Sequence, residues 1–416
     1  MIYRAIVIGG GPAGLQAALS AGEAGHPVLI IERESRPGGI LKQCIHDGFG
    51  VIRFGEKLSG PEYAERFIDE VQKKENITLL LLHFVISISK EKGVFVVRTT
   101  SKEGITEHRS ETLVFANGCR ERTSRQVNIH GTRPAGVLTA GTAQYYVNLM
   151  GALPGKRCVI LGSGDIGLIM ARRLTLEGAE VLGVYEAKDK PGGLTRNLYQ
   201  CLTDFDIPLH LSKTVSHVFG EERVEAVEVV SVDENMCPLA GTEEIIECDT
   251  LIVSVGLIPE NELAESLGTK MDAKTKGAIV DQNMMTSVNG AYAVGNALHV
   301  HDLVDYVSEC AKTAGEHIAG EKREERNLLP IEQEGLLYLV PQQLDINSLK
   351  EEEVFYFRSA CEYKKGELKI YRDGEEIYKK KYAMGLKPPE MEKLKVKLPP
   401  LERETRLKVV LEGKNE

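Results

Sequence analysis

Residues 4–44 read RAIVIGGGPAGLQAALSAGEAGHPVLIIERESRPGGILKQC, and they decide the fold. A short aliphatic run precedes Gly9, Gly11 and Gly14. Small and aliphatic residues then continue to Gly25, and a second aliphatic run ends in Glu32. Strand, glycine turn, helix and strand in that order make a nucleotide-binding βαβ unit. The first glycine permits the tight turn, the second lets backbone approach a pyrophosphate, and the third lets helix and strand pack closely. The pyrophosphate then meets N–H groups at the positive end of the helix. Glu32, 23 residues after Gly9, is placed to accept hydrogen bonds from ribose hydroxyls.

The unit occurs twice. Residues 157–201 read RCVILGSGDIGLIMARRLTLEGAEVLGVYEAKDKPGGLTRNLYQC, with Gly162, Gly164 and Gly167 as the glycine set and Glu186 as the terminal acid. Each copy then carries Pro-Gly-Gly, at 37–39 and 191–193. Two dinucleotide sites in one chain imply one cofactor exchanging electrons with another, and the usual pair is flavin and nicotinamide. Glu186 accepts ribose hydroxyls and repels a 2′-phosphate, so NAD is expected over NADP, with Lys188 and Lys190 nearby. Asp165 lies inside the second phosphate loop, and its side chain is expected to point away from the pyrophosphate.

Composition excludes other classes. The 416 residues carry 51 basic and 61 acidic side chains, a net charge of -10, which opposes nucleic acid and anionic lipid as partners. No apolar run approaches the roughly 18 residues of a spanning helix; the longest, Ile77 to Ile88, reads as a buried strand. The N-terminus runs straight into the glycine motif and does not read as a signal peptide. Eight cysteines, at 44, 119, 158, 201, 237, 248, 310 and 361, include no close pair, against a tetrathiolate metal site or a local redox disulfide. Their scatter fits reduced thiols in a cytoplasm.

On these residues the chain resembles the two-dinucleotide-domain flavoproteins of the thioredoxin-reductase-like and pyridine nucleotide-disulfide reductase superfamily, over about residues 1–325. Thr112 to Cys119 resembles the strand ending Ala-Thr-Gly where the chain leaves the flavin domain, with Asn117 for the threonine. Asp249 to Asn261 resembles the returning strand. Thr286 to Asn296 resembles the second flavin motif, with Asn296 for the usual aspartate. The phrases GGILKQCIHDGFG (38–50), LSGPEYA (58–64), RPAGVLTAGTAQ (133–144) and GNALHVHDLVDYVS (295–308) are similar to the FAD/NAD-binding oxidoreductase found with a glycerol-3-phosphate dehydrogenase subunit. More distantly they are similar to subunits of hydrogen cyanide synthase, opine oxidase, sarcosine oxidase and dye-linked proline dehydrogenase.

The resemblance implies an α/β protein with two Rossmann-like domains, one inserted in the other. The FAD domain is expected at 1–118 and 257–325, the NAD(P) domain at 119–256, and a small all-β module at 327–416. That module reads as strands, with Asp373-Gly374 as a hairpin turn. A lid that completes the core and a docking surface for a partner are both open to it. The charge run EKREER, 321–326, reads as a solvated end of the last helix.

FAD is expected on Gly9, Gly11, Pro12, Ala13, Gly14, Glu32, Arg33, Gly39, Ile40, Val85, Ala116, Gly118, Gly295 and Asn296. NAD is expected on Gly162, Ser163, Gly164, Asp165, Ile166, Gly167, Glu186 and Gly256. The final helix is expected to start near His299 to Asp302 and to point at the flavin, with His299 and His301 adding charge if protonated. Cys44 and His46 lie near where disulfide reductases keep their redox pair, so Cys44, His46 and His299 are the catalytic candidates. The implied function is an FAD-dependent, NAD-linked electron-transfer subunit working with a glycerol-3-phosphate or amine/amino-acid dehydrogenase subunit. A free-standing NADH oxidase or reductase, and a subunit whose second site holds structural ATP or ADP, stay open.

Overall fold

The structure, a computed structural model, describes residues 1–320 and 325–415. It divides into two compact units, one of Met1–Lys42, His46–Cys119 and Pro259–Glu416, the other of Gln43–Ile45 and Arg120–Ile258.

The first unit is built on a seven-stranded sheet. Ile77–Leu80, Val28–Ile31, Ile2–Ile8 and Gly104–Phe115 run parallel in that order. Val94–Ser101 and Phe84–Glu91 extend the sheet antiparallel, and Ala291–Ala293 pairs parallel with Leu113 to Phe115. Strands wrapped by helices must be apolar on both faces, and Ala5, Ile6, Val7, Val28, Leu29 and Ile30 are fully buried. The expected single strand from Ile77 to Ile88 is two strands. Leu82 turns the chain between them with φ +57°.

The second unit repeats the plan. Leu209–Leu211, Glu180–Glu186, Arg157–Leu161, Thr250–Val253 and Val137–Thr139 form a parallel sheet in that order. A four-stranded sheet, from His130–Gly131 to Glu244–Glu247, accompanies it.

The C-terminal strands belong to the first unit and have their own core. Gln343–Asp345, Leu328–Glu334, Leu407–Asn415, Tyr363–Arg372 and Glu375–Tyr382 make one sheet; Leu336–Val340, Glu353–Ser359 and Glu392–Val396 make another. Leu329, Phe355, Phe357, Leu368, Ile370, Leu394 and Val409 fill the space between. Asp373 and Gly374, at φ 52° and 89°, close the hairpin, as an Asp-Gly pair favours. Tyr338 and Val340 enter the core of the dinucleotide-binding part. Gln282 joins Asp345 through two hydrogen bonds of 2.8 Å, and the Gln342 side chain accepts from Val280 N–H. These ties make the module a continuation of the first unit's core.

Two sequence expectations change here. Residues 321–324 of the charge run lie outside the described residues, but Arg326 is no solvated end: it pairs with buried Asp281 at 3.2 Å and donates to Thr286 O. Burial pushes the Asp281 carboxyl above the usual range, opposed by Arg326. The final helix is Val304–Ala319, so it starts two residues after Asp302. No helix among the described residues is long and apolar enough to cross a membrane.

Candidate functional site: two matched dinucleotide loops

Both glycine loops show why their spacing is fixed. Gly9 and Gly162 have φ of +104° and +103°. A Cβ on Gly9 would meet Ala116 O at 2.4 Å, and one on Gly162 would meet Ser254 O at 2.1 Å. A Cβ on Gly14 would lie 1.8 Å from Gly9 O, and one on Gly167 lies 2.4 Å from Gly162 O. No real side chain fits at these distances. The middle glycines differ in kind: Gly164 has nothing within 4 Å and Gly11 only the Gly39 Cα at 3.7 Å. Gly118 and Gly256, just beyond the neighbouring strands, are open in the same way. Backbone facing open space beside a helix N-terminus fits a pyrophosphate.

The terminal acids are also matched. Glu32 accepts from Gly10 N–H at 2.7 Å and Glu34 N–H at 2.8 Å. Glu186 accepts from Ser163 N–H at 3.0 Å and Lys188 N–H at 3.1 Å. Each carboxylate therefore braces its own glycine loop, and its remaining lone pairs can accept ribose hydroxyls. In both copies the Pro-Gly-Gly turn packs on the loop: Gly38 N–H donates to Gly10 O, and Gly192 N–H to the Ser163 hydroxyl.

The copies part at two positions. Ser163 stands where Gly10 stands, and its hydroxyl donates to Glu186 at 2.6 Å. Asp165 stands where Pro12 stands. Its Oδ1 accepts from Leu194 N–H at 2.9 Å and Asn197 Nδ2 at 2.7 Å, so it turns toward the loop after the Pro-Gly-Gly turn.

The remaining expected residues are dispersed. Ala116 and Val85 are buried in the first unit's core, Ile40 and Ile166 are exposed, and Arg33 pairs with Glu260 at 3.2 Å. A Cβ on Gly39 would lie 3.0 Å from Gly11 Cα, so this glycine is needed for the turn to reach the loop. Gly295 N–H donates to the Cys310 sulfur, and Asn296 accepts from His301 N–H at 3.1 Å while reaching the Cys119 sulfur. Pro12 and Ala13 start the helix Pro12–Gly22.

The three catalytic candidates lie where burial shifts their proton affinity. Burial pushes the Cys44 thiol up to about 12, so the thiolate a redox nucleophile requires is scarce at neutral pH. Burial lowers His46, opposed by Asp47, and its ring lies 5.1 Å from Phe49. His299 and His301 are 1% and 9% exposed. Burial drives His299 well below the ordinary histidine value and His301 down to about 3. Burial thus opposes the protonation on which their added charge depends.

Sequence reasoning missed what surrounds these histidines. Their rings lie 3.9 Å apart, against Tyr338 and Tyr356 of the C-terminal strands. Arg358 donates to Tyr338 at 3.0 Å and pairs with Asp302, which also accepts from Met391 N–H at 2.6 Å. Nothing local in the sequence signals pairings between residues 20 to 89 apart. His299 Nε2 and both ring nitrogens of His301 are buried without a hydrogen bond.

Comparison with known proteins agrees with this geometry. Hydrogen cyanide synthase subunit HcnB of Pseudomonas protegens is 26% identical over 324 residues, 72% of this chain. The chain spans 65% of that relative's length, and 60% of its Pseudomonas aeruginosa counterpart. Ferredoxin–NADP reductase of Streptococcus pyogenes is 28% identical over 316 residues, 74% of this chain and 88% of the relative. In fold, thioredoxin reductase of T. acidophilum matches with a TM-score of 0.62 at 21% identity, covering 76% of this chain and 97% of that one. The fold is thus the thioredoxin-reductase-like α/β arrangement of two Rossmann-like cores, and FAD with NAD(P)H are the cofactors such reductases use. Residues 3–317 match the family model for pyridine nucleotide-disulphide oxidoreductase, and the chain belongs to that family of FAD- and NAD(P)-dependent oxidoreductases.

Proposed function

We propose that this chain holds FAD on the Gly9–Gly14 loop and NAD(H) on the Gly162–Gly167 loop, and passes electrons between the nicotinamide and a partner dehydrogenase subunit of the glycerol-3-phosphate dehydrogenase type. A cytoplasmic location goes with this reading. The observation that carries it is the pairing of two matched dinucleotide loops with eight cysteines that are all thiols. The family's disulfide relay needs two neighbouring thiols. Here Cys44, Cys158 and Cys310 are each pushed up to about 12 by burial, and no partner thiol adjoins Cys44 in sequence. Electrons that reach the flavin therefore need an acceptor outside the chain. The HcnB relative, itself a subunit by name, supports another polypeptide in that role.

FAD, when bound, supplies a ring that accepts hydride from the nicotinamide and releases electrons onward. The chain's own residues position and desolvate. Gly11 and Gly164 leave backbone N–H groups open to the two pyrophosphates. Glu32 and Glu186 brace the loops and accept ribose hydroxyls, and Glu186 excludes a 2′-phosphate. Gly295 and Asn296, in the first unit, would line the flavin.

The test is purification of the native complex with the flavin spectrum followed anaerobically. Bleaching by glycerol 3-phosphate, only with a second polypeptide present, supports the proposal. Fast NADH-driven reduction of a small acceptor by the isolated chain would support a free-standing reductase instead. The ferredoxin–NADP reductase relative, matched over most of its length, favours that second reading. A flavin that NADH leaves oxidised while ATP or ADP binds would make the second site structural.

A further inference from the structure

Residues 123–137 join the four-stranded sheet of the second unit through His130–Gly131, which pairs with Lys213–Phe219. Residues from this segment, together with Val218, line an open cavity of about 710 Å3. All twelve lining residues belong to Arg120–Ile258, so the cavity lies within that unit. Neither the Gly162–Gly167 loop nor Glu186 nor Gly256 contributes to it, so it is not the nucleotide site. Cavities of about 300–1,000 Å3 take one small molecule.

The lining carries one sign of charge. Arg125 and Arg133 both belong to it, and none of the twelve residues is acidic. Among the described residues neither guanidinium makes an ion pair or a side-chain hydrogen bond. By contrast, Arg157, Arg173 and Arg223 of the same unit pair with Glu180, Glu177 and Pro154 O. In a chain of net charge -10, two unpaired cations on one cavity call for an anion from outside the chain. His130 and Asn128 add N–H donors, and buried Ile129 and Val218 give the cavity an apolar wall.

The segment is held in place by its own backbone. Gly131 has φ +103°, and a Cβ there would meet Val218 O at 2.1 Å. Asn128 has φ +58°, and its N–H donates to Arg125 O at 3.2 Å. The Thr132 hydroxyl donates to Gly220 O at 2.5 Å. Ala135 N–H donates to Glu222 O, and Val224 N–H to Ala135 O, both at 2.9 Å. The backbone carrying both arginines is thus set, and only side-chain rotamers are left to order when a ligand binds.

We propose that this cavity binds a small organic phosphate: Arg125 and Arg133 hold the phosphate dianion, and Ile129 and Val218 take its carbon body. A guanidinium fork matches two phosphate oxygens at once, as a single ammonium does not. A polyanion such as nucleic acid is opposed by the negative charge of the whole chain, and the cavity admits one small molecule. The inference is independent of what the two glycine loops hold.

The experiment titrates the full chain with phenyl phosphate and with inorganic phosphate, by calorimetry and phosphorus NMR. Saturating NAD is present, and the buffer holds no other phosphate or sulfate. Phenyl phosphate is expected to saturate one site per chain and to bind about tenfold more tightly than inorganic phosphate, because its ring covers the apolar wall. Arg125→Gln and Arg133→Gln are each expected to weaken phenyl phosphate about tenfold. Both side chains are exposed, so the thermal unfolding midpoint is expected to stay. Arg157→Gln removes the same charge outside the cavity and is expected to leave the affinity unchanged. Lysine at position 125 or 133 keeps the charge without the fork and is expected to recover only part of the affinity. The absence of saturable binding with NAD present overturns the proposal. So does an affinity that neither cavity arginine alters, or that Arg157→Gln lowers equally. Equal affinity for the two probes overturns the assignment of an organic ligand. A chain that binds phenyl phosphate in this way but no NAD refutes the reading of the second loop instead, and leaves the cavity site standing.

Discussion

The two glycine loops share one plan and differ in how they are held. Beyond the glutamate brace that both share, the first is tied by backbone and proline: Gly10 offers no side chain, Pro12 starts the helix, and ten of eleven residues of Pro12–Gly22 are buried. The second is tied by side chains. Ser163 bridges Glu186 and Gly192, Asp165 holds Leu194 and Asn197, and five of twelve residues of Asp165–Leu176 are buried. Proline fixes φ and needs no hydrogen bond to break, whereas side-chain ties can exchange with a ligand. A loop of the first kind suits a resident cofactor, and one of the second suits a nucleotide that comes and goes.

The largest test breaks each loop at its third glycine. Gly14→Ala puts a Cβ 1.8 Å from Gly9 O in the core of the first unit. It is expected to cost about 3 kcal/mol or more and to abolish flavin content, read by thermal unfolding and absorbance. Gly167→Ala, at 2.4 Å from Gly162 O, is expected to keep the flavin and lose NADH binding. Equal loss of flavin in both would erase the distinction between the loops.

Acid should weaken the first unit through its histidines. His301, lowered to about 3 by burial, resists protonation only while folded. The sign follows from linkage. Stability is complete above the ordinary histidine value near 6.5 and is lost as pH falls from there toward 3, by up to about 1.4 kcal/mol per pH unit. Urea midpoints between pH 7 and 5 measure this, and His301→Phe should flatten the slope.

Glu186→Ala removes the acceptor shared by Ser163 and Lys188. NADH affinity is expected to fall about tenfold, near 1.4 kcal/mol, with flavin content unchanged and with weaker rejection of NADPH. Titration by flavin-independent nucleotide fluorescence reads it. The smallest effect belongs to Asp165→Asn. Its amide oxygen can keep the Leu194 bond, and a negative charge leaves the helix start where a pyrophosphate docks. NADH should bind about threefold tighter while the helix loses about 0.5 kcal/mol. Weaker binding would mean the carboxylate is itself needed to shape the loop.

The parts of this molecule that were legible in sequence are those where backbone geometry permits one residue type. Gly9, Gly14, Gly162 and Gly167 are such positions, and they were enough to reach the α/β class. Asp373-Gly374 is another. The parts that were not legible depend on pairings across the chain. Arg326 looked like one of a row of solvated charges because Asp281 stands 45 residues away. His299 and His301 looked chargeable because Tyr338, Tyr356 and Arg358, which bury them, come from another sheet. The helix start was misplaced because Leu303 and Val304 carry no capping side chain to mark it.

The split of the first unit has a consequence for how the protein is made. Strand Gly104–Phe115 pairs with Ala291–Ala293, and everything from Arg120 to Ile258 is translated between them. At about 5–20 residues per second, that partner follows roughly 10–35 s later. The inserted unit is therefore whole on the ribosome while its host still shows an open sheet edge. Leu407–Asn415, which lies between Leu328–Glu334 and Tyr363–Arg372, arrives later still. In a growing chain the sheets of the first unit are thus sealed after that of the inserted unit, and the interval before sealing is when misassociation along an open edge has its chance.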